Sequence, residues 1–98
     1  MRLWLDDIRP MPQSFTHHAR SVNDAINMIT QAERDGEPIE KLSLDHDLGD
    51  YAKDGGDGIK LIDWLCERET FYPIELHTAN PVGRGNMERT INRYWPNK

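Results

Sequence analysis

The sequence has little cysteine, no long apolar segment and a deficit of positive charge. Because Cys66 is the only cysteine in 98 residues, neither an internal disulfide nor a cysteine-bound metal cluster can form within the chain. No apolar run approaches the length of a membrane span, and the N-terminal residues lack the apolar core of a signal peptide. We therefore expect a soluble, cytoplasmic protein with no membrane partner.

The acidic balance restricts the class of partner. The chain carries 17 acidic and 12 basic residues, for a formal net charge of −5. This argues against duplex DNA as a partner, because such binding draws on clustered Lys and Arg. A small phosphate-bearing ligand or an RNA end is not excluded, since a bound cation would offset nearby acids. The length and the 37% of hydrophobic residues suit one modest core, so we expect a single domain over residues 1–98.

Short apolar segments alternate with stretches of helical spacing. The predicted strands are residues 2–5, 15–20, 41–44 and 74–78, and the predicted helices are residues 21–35, 59–71 and 87–95. Prolines in residues 10–14 exclude a helix after the first strand, and the glycine-rich residues 50–58 predict a mobile loop. Strands that alternate with helices favour a mostly parallel sheet with right-handed crossovers.

Two acidic segments directly follow predicted strands. Asp6 and Asp7 come after the first strand, and Asp45 and Asp47 come after the central one. Ligands of parallel sheets bind beyond the carboxyl ends of the strands, and clustered carboxylates repel one another unless a cation binds or some become protonated. The pattern predicts a site for Mg²⁺ or Mn²⁺; the alternative for the first pair is a solvated acidic turn. His46 could be a metal ligand, a general acid or a half-buried polar residue.

Donors for phosphate oxygens follow the last predicted strand. Thr78 could donate its hydroxyl to a phosphoryl oxygen, or serve only as a β-branched strand residue. His77 faces the opposite way on a regular strand, so it would join the same site only if the strand twists at its end. A turn before the last helix would offer backbone N–H groups to an anion, and the candidate anion-binding residues there are Asn80, Gly83, Arg84, Gly85 and Asn86.

Two further groups of residues have structural interpretations. His17, His18 and Arg20 could bind phosphate or metal, but residues of this kind on a short edge strand are more often surface residues. Trp4, Trp64 and Trp95 are expected to pack in the core or at its edge; the alternative for Trp95 is an exposed dimer contact.

These residues resemble a receiver domain of the two-component type. The matching features are the acid pair, Asp45 after Leu-Ser-Leu, Asp57-Gly58 before a helix, and Thr78-Ala79 after a strand. In receivers the corresponding acids hold Mg²⁺, the central aspartate accepts a phosphoryl group and the threonine senses it. The resemblance places these roles on Asp6, Asp7, Asp45 and Thr78.

The departures from receivers favour a narrower family. A proline-rich loop replaces the first helix, and the chain ends before a fifth strand, leaving Lys98 as a poor substitute for the receiver lysine. Three segments resemble the shortened group called cyclic-phosphate processing receiver domains: LWLDDIRP, SLDHDLG and HTANPVGRGNM. That group is common in bacteria and phages, with a proposed role in RNA or nucleotide end metabolism. The implied fold is a small receiver-like (flavodoxin-like) three-layer α/β domain with four mostly parallel strands, lacking the first helix and the fifth strand.

The leading hypothesis is a metal-dependent phosphoesterase acting on a cyclic phosphate or on an RNA or nucleotide phosphate end. Asp6, Asp7 and Asp45 would hold the metal, His46 or Asp47 would handle protons, and Asp45 is also a candidate covalent acceptor. One alternative is a receiver module that is phosphorylated at Asp45 or simply binds a protein partner. Another is a phage-encoded protein that binds a cyclic nucleotide without cutting it.

Overall fold

A four-stranded parallel sheet organises the chain, and the computed structural model describes residues 1–96. The elements in order are β1 (Arg2–Leu5), β2 (His17–Ala19), α1 (Val22–Arg34), β3 (Lys41–Leu44), a 3₁₀ helix (Gly49–Lys53), α2 (Ile59–Arg68), β4 (Ile74–Leu76) and α3 (Pro81–Tyr94). The strand order is β2-β1-β3-β4, and each neighbouring pair is parallel. The shortened receiver-like fold is confirmed, with an all-parallel sheet. Lys98 lies outside the described residues.

The two faces of the sheet are covered differently. On one face, the helices share a hydrophobic cluster with four fully buried strand residues, Leu3, Leu5, Leu42 and Leu44. Trp4 and Ser43 alternate with these leucines and so face the opposite side. There Trp4 meets Phe15 edge to face, with ring centroids 5.3 Å apart. The proline-rich segment that carries Phe15 thus covers the second face, and the described residues contain no helix between β1 and β2.

Local signals account for α1 as predicted. Ser21 precedes the helix in extended conformation and accepts a hydrogen bond from the backbone N–H of Asp24 at 3.1 Å. The residues buried along the helix recur at intervals of three and four positions: Val22, Ala25, Ile29 and Ala32. Gly36 then takes a positive φ of 70° just beyond the helix. The capping side chain and the apolar stripe therefore specify the same helix.

The beginning of α3 differs from the prediction. The helix starts at Pro81 rather than at Met87, and Asn80 caps it by accepting a hydrogen bond from the N–H of Gly83 at 3.0 Å. Residues 83–86 therefore lie in a helix and not in a turn. A Cβ at position 83 would lie 2.5 Å from Cγ of His46, so Gly83 permits close packing rather than a turn.

The segment after β3 is more regular than a loop. It contains the 3₁₀ helix Gly49–Lys53 and is joined to α1 through Asp54. The carboxylate of Asp54 accepts hydrogen bonds from the Ser21 hydroxyl at 2.7 Å and from the Asn23 amide at 3.0 Å. The same segment ends at Gly58, whose N–H donates to the carbonyl of His46 at 2.7 Å. These contacts connect β3, α1 and the start of α2.

Trp95 is buried, as predicted for a residue of the core or its edge, so the alternative of an exposed dimer contact does not apply. Only 7% of the residue is exposed, and its indole N–H donates to the carbonyl of Tyr72 at 2.7 Å. Its ring meets Phe71 edge to face at 5.1 Å. The tryptophan joins the end of α3 to the connection before β4. Among the described residues, no helix is both long and apolar enough to cross a membrane.

Candidate functional site

A cleft of about 370 Å³ opens where β1, β3 and β4 end. Its lining includes six of the side chains selected from the sequence, namely Asp6, Asp7, Asp45, Asp47, Thr78 and Asn80. Carboxylate oxygens of Asp6, Asp7 and Asp45 lie within 4.8 Å of one another. They converge because the chain turns directly after β1 and because the carboxyl ends of parallel strands share one edge of the sheet.

Asp6 is the most enclosed carboxylate of the cleft, with 1% of its surface exposed. Its Oδ1 accepts hydrogen bonds from the backbone N–H groups of Ile8 and Arg9, both at 2.9 Å. Burial by itself would raise the pKa of Asp6, but these two N–H groups and His77 outweigh it and lower the pKa below the ordinary value. Asp6 is therefore held as a carboxylate by the same turn that aims the acid pair.

His77 lies behind Asp6 and does not line the cleft. Its Nε2 is 2.9 Å from Oδ2 of Asp6, and its Nδ1 is 2.8 Å from the hydroxyl of Ser43. That hydroxyl also donates to Glu75 at 3.0 Å. The imidazole stacks on Trp4 with ring centroids 3.7 Å apart. The structure thus places His77 as a support for a carboxylate, whereas the sequence suggested contact with phosphate.

Asp45 is partly buried and lies close to the charge of Asp6. Burial is the main cause that raises its pKa, and the charge of Asp6 raises the pKa further, against hydrogen bonds from Thr78 and the N–H of His46. A cation between these carboxylates would remove that repulsion. Three carboxylates with free oxygen lone pairs are a suitable donor set for Mg²⁺ or Mn²⁺, so the residues present fit such an ion.

Asp47 forms the outer rim of the cleft. The amide of Asn80 donates to both of its carboxylate oxygens, at 3.2 and 3.1 Å, and Nδ1 of His46 lies 2.8 Å from Oδ1. The hydrogen bond to His46 is the main cause that lowers the pKa of Asp47, and Asn80 contributes to it. The ring of His46 itself lies under Gly83 of α3 and does not line the cleft. Its connection to the cleft is the hydrogen bond to Asp47.

The structure does not bring Arg84 to the cleft. Its guanidinium donates to the carbonyl of Leu76 at 3.1 Å and lies 3.5 Å from Glu88, in a groove along β4. Gly83, Gly85 and Asn86 do not line the cleft either, because α3 begins at Pro81 and carries these positions away from the edge of the sheet. Of the predicted anion-binding residues, only Asn80 lies in the cleft.

Arg9 is a cleft residue that the sequence reasoning missed. It lines the cleft, and its Nη1 donates to the carbonyl of His77 at 2.8 Å. Within residues 1–96, its Nε and Nη2 make no hydrogen bond or ion pair. The available signal was a cation two positions after the acid pair, at the same strand end. Arg9 is therefore the guanidinium best placed to meet an anion at this site.

Comparison with protein families adds to this geometry. The model of the cyclic-phosphate processing receiver domain matches residues 1–93. The chain belongs to this family. No curated protein and no solved structure gives a significant match. In this receiver domain the match includes all four strands, α1, α2 and nearly all of α3, so the acidic cleft lies wholly within the matched residues.

Proposed function

We propose that this domain is a metal-dependent phosphoesterase that opens a cyclic phosphate, on a nucleotide or at an RNA end. The observation that carries the proposal is the convergence of Asp6, Asp7 and Asp45, whose carboxylate oxygens lie within 4.8 Å of one another. The cleft around them also presents hydrogen-bond donors. Membership of a cyclic-phosphate processing family supplies the class of substrate.

The three carboxylates would hold Mg²⁺ or Mn²⁺. When bound, such an ion polarises a phosphoryl oxygen and lowers the pKa of a coordinated water. The free nitrogens of Arg9 are donors for phosphoryl oxygens. The Thr78 hydroxyl and the Asn80 amide, which donate to Asp45 and Asp47 in the free protein, would turn to the phosphate when it binds. The substrate would thus lie between acids on one side and neutral or cationic donors on the other.

The reaction is hydrolysis of one phosphodiester bond in the ring. The oxygen of water forms a bond to phosphorus, and the bond from phosphorus to one ring oxygen breaks, giving a phosphomonoester and a hydroxyl. Water releases one proton, and the leaving oxygen gains one. Asp47, at the exposed rim and 2.8 Å from His46, is the acceptor best placed for that proton, and the pair could return it to the leaving oxygen.

Turnover of defined cyclic nucleotides tests the proposal. The protein would be incubated with 2′,3′-cyclic and 3′,5′-cyclic nucleotides, with and without Mg²⁺ or Mn²⁺, and products followed by ³¹P NMR. We expect metal-dependent conversion to monoesters by the wild type and its loss in Asp45→Asn. Asp35→Asn, an exposed aspartate just after α1, is the matched control and should retain activity. Absence of turnover with every nucleotide and both metals would contradict the hydrolase.

A signalling receiver is the second candidate. Asp45 directly follows the central strand β3 and accepts a hydrogen bond from Thr78, which is the pairing expected of a phosphoacceptor and its sensing threonine. Acetyl phosphate should then label the wild type but not Asp45→Asn, as read by intact-protein mass spectrometry. Labelling without nucleotide turnover would favour this candidate. Stoichiometric binding of an intact cyclic nucleotide would instead favour a protein that sequesters its ligand.

A further inference from the structure

We propose that a second, polar cavity beside the acidic cleft binds the nucleoside part of the substrate. This inference rests on the proposed function for the phosphate end and adds the base and ribose to it. The cavity has a volume of about 640 Å³ and lies between the end of β2, the first turns of α1 and the 3₁₀ helix. We call it the β2–α1 cavity; the residues that define it are His18, Arg20, Asn23, Asp24, Asn27 and Tyr51.

The β2–α1 cavity and the acidic cleft share a wall. Arg20 donates to the backbone carbonyl of Asp7 at 3.3 Å, and Nε2 of His18 lies 2.9 Å from the carbonyl of Asp6. The 3₁₀ helix provides a second connection, because Gly49 lines the cleft and Tyr51 lines the cavity. A Cβ at Gly49 would lie 2.8 Å from Oδ2 of Asp7. A ligand with its phosphate in the cleft therefore meets the cavity immediately beyond the acid pair.

The lining of the β2–α1 cavity matches a base and a ribose. Tyr51 is 46% exposed and offers an aromatic face on which a base can stack. Within residues 1–96, neither the Asn27 amide nor the Asp24 carboxylate has a hydrogen-bond or ion-pair partner. An amide can pair with the edge of a base, and a carboxylate can accept from a ribose hydroxyl or an exocyclic amine. The carboxylates of Asp24 and Asp54 would repel a phosphate in the β2–α1 cavity, so the cavity suits an uncharged group.

The wall that carries Tyr51 is held in place before any ligand binds. Asp54 follows the 3₁₀ helix and accepts hydrogen bonds from Ser21 and Asn23, and its backbone carbonyl accepts from the N–H of Asn23 at 3.1 Å. Gly55, at a positive φ of 108°, approaches so closely that a Cβ would lie 2.8 Å from Oδ1 of Asn23. A fixed wall lowers the ordering cost of binding, which suits a cavity for a rigid planar group.

Adenosine and 2′,3′-cyclic AMP test the β2–α1 cavity directly. Adenosine has no phosphate, so its binding reports on the cavity alone, and ¹H–¹⁵N NMR should show shifts at Asn27 and Tyr51. We expect Tyr51→Ala to weaken binding of 2′,3′-cyclic AMP about tenfold or more, because stacking is lost. Tyr51→Phe keeps the aromatic face and should bind within about twofold of wild type. Tyr94→Ala removes a tyrosine of similar exposure, 48%, and should bind normally.

The outcomes separate this inference from the proposed function. Unchanged affinity of Tyr51→Ala, or adenosine shifts absent from the cavity, would overturn the nucleoside cavity even if the protein hydrolyses cyclic phosphates. Tyr51-dependent binding without turnover would support the cavity and contradict the hydrolase. An oligoribonucleotide with a 2′,3′-cyclic end distinguishes the sources of the nucleoside. If the oligoribonucleotide binds at least as tightly as 2′,3′-cyclic AMP, the cavity holds the terminal residue of an RNA. If the mononucleotide binds more tightly, the cavity holds free nucleotides.

Discussion

His77 has both ring nitrogens engaged, one with Asp6 and one with Ser43, while its ring rests on Trp4. These contacts leave the imidazole little freedom to rotate, so the carboxylate that it touches is also fixed. Residues that hold a metal ligand from behind commonly change metal affinity when they are removed. In this domain the hydrogen-bonded series continues through Ser43 to Glu75, away from the cleft.

His77 contacts Asp6 and does not line the cleft, yet replacing it should weaken metal binding. We expect His77→Ala to raise the dissociation constant for Mn²⁺ about 10- to 100-fold, because Asp6 loses its orienting partner. Isothermal titration calorimetry with Mn²⁺ measures the change. His17→Ala is the control, since the His17 ring contacts Thr16 at the start of β2, away from the strand ends that carry the acids. Equal Mn²⁺ affinity of His77→Ala and wild type would contradict the supporting role.

Tyr72 makes a partly buried hydrogen bond whose contribution to stability is lost at alkaline pH. Its hydroxyl donates to the carboxylate of Glu33, and burial, followed by the hydrogen bond to Glu33, raises the pKa of Tyr72 from 10.0 to about 12. A raised folded-state pKa contributes stability that is fully present below the unfolded value and is lost as pH rises through the folded value. The relevant window is therefore pH 10 to about 12.

Tyr72→Phe should remove this contribution. At neutral pH we expect the variant to unfold with a free energy about 1 kcal/mol lower than wild type, the usual value of one hydrogen bond. The difference should shrink as pH rises from 10 to about 12, because Tyr72 of the unfolded chain ionises there while the folded protein holds its proton. Urea unfolding across this range gives the measurement, with Tyr94→Phe as the exposed control. A difference that stays constant through pH 12 would show that Glu33 does not stabilise the protonated tyrosine.

At the scale of elements, α3 carries two glycines with different roles. Gly83 lies against the ring of His46, where a Cβ would come within 2.5 to 2.7 Å of three ring atoms. A Cβ at Gly85 would meet only the flexible end of Arg89, at 3.6 Å. Both glycines lie in the same helix and have a similar intrinsic cost there, so the close approach of Gly83 to His46 is what distinguishes them.

Alanine substitutions at these two glycines should have opposite effects. Gly85→Ala should stabilise the domain by about 0.5–1 kcal/mol through helix propensity. Gly83→Ala should destabilise it by about 1–3 kcal/mol, because the added methyl group overpacks against His46. Urea unfolding measures both, and NMR shifts of the His46 ring should change in the Gly83 variant only. Stabilisation by Gly83→Ala would mean that the His46 ring moves aside at little cost and does not hold the rim of the cleft in place.

At the scale of the whole molecule, the sheet concentrates like charge at one edge. Asp6 and Asp7 follow β1, and Asp45 follows β3, so the parallel pairing of these two strands brings the carboxylates together. Burial is the main cause that raises the pKa of Asp45, and the charge of Asp6 raises it further. The fold thus tolerates local repulsion at the position where a cation is proposed to bind.

Asp45→Asn should relieve that repulsion in the metal-free protein. We expect its melting temperature to exceed that of wild type by a few degrees, consistent with roughly 1 kcal/mol in a domain of this size. Mn²⁺ should raise the melting temperature of wild type and of the Asp35→Asn control, but much less that of Asp45→Asn. Differential scanning fluorimetry with and without Mn²⁺ makes the comparison. An equal Mn²⁺-induced shift in Asp45→Asn would show that Asp45 does not bind the ion.

Sequence alone was sufficient for the features that depend on local signals. The hydrophobic period predicts the four strands, with acids at their ends, and the apolar stripe of α1. The Ser21 cap predicts where α1 begins, and proline geometry predicts the loop in place of a first helix. Each of these signals acts over a few residues. The same local signals misplaced the start of α3, because glycines in residues 83–86 suggested a turn. The reason for Gly83 is the ring of His46, a residue distant in the chain.

Tertiary structure decided which side chains share the cleft. Chain order could not show that Arg84 donates to the carbonyl of Leu76 along β4, that Arg9 occupies the cleft, or that His77 lies behind Asp6. Each of these positions depends on where one element ends relative to another, and a shift of one residue turns a side chain to the opposite face of a strand. The sequence therefore determined the acids and their strands, and the packing of α3 and the first loop determined what surrounds them.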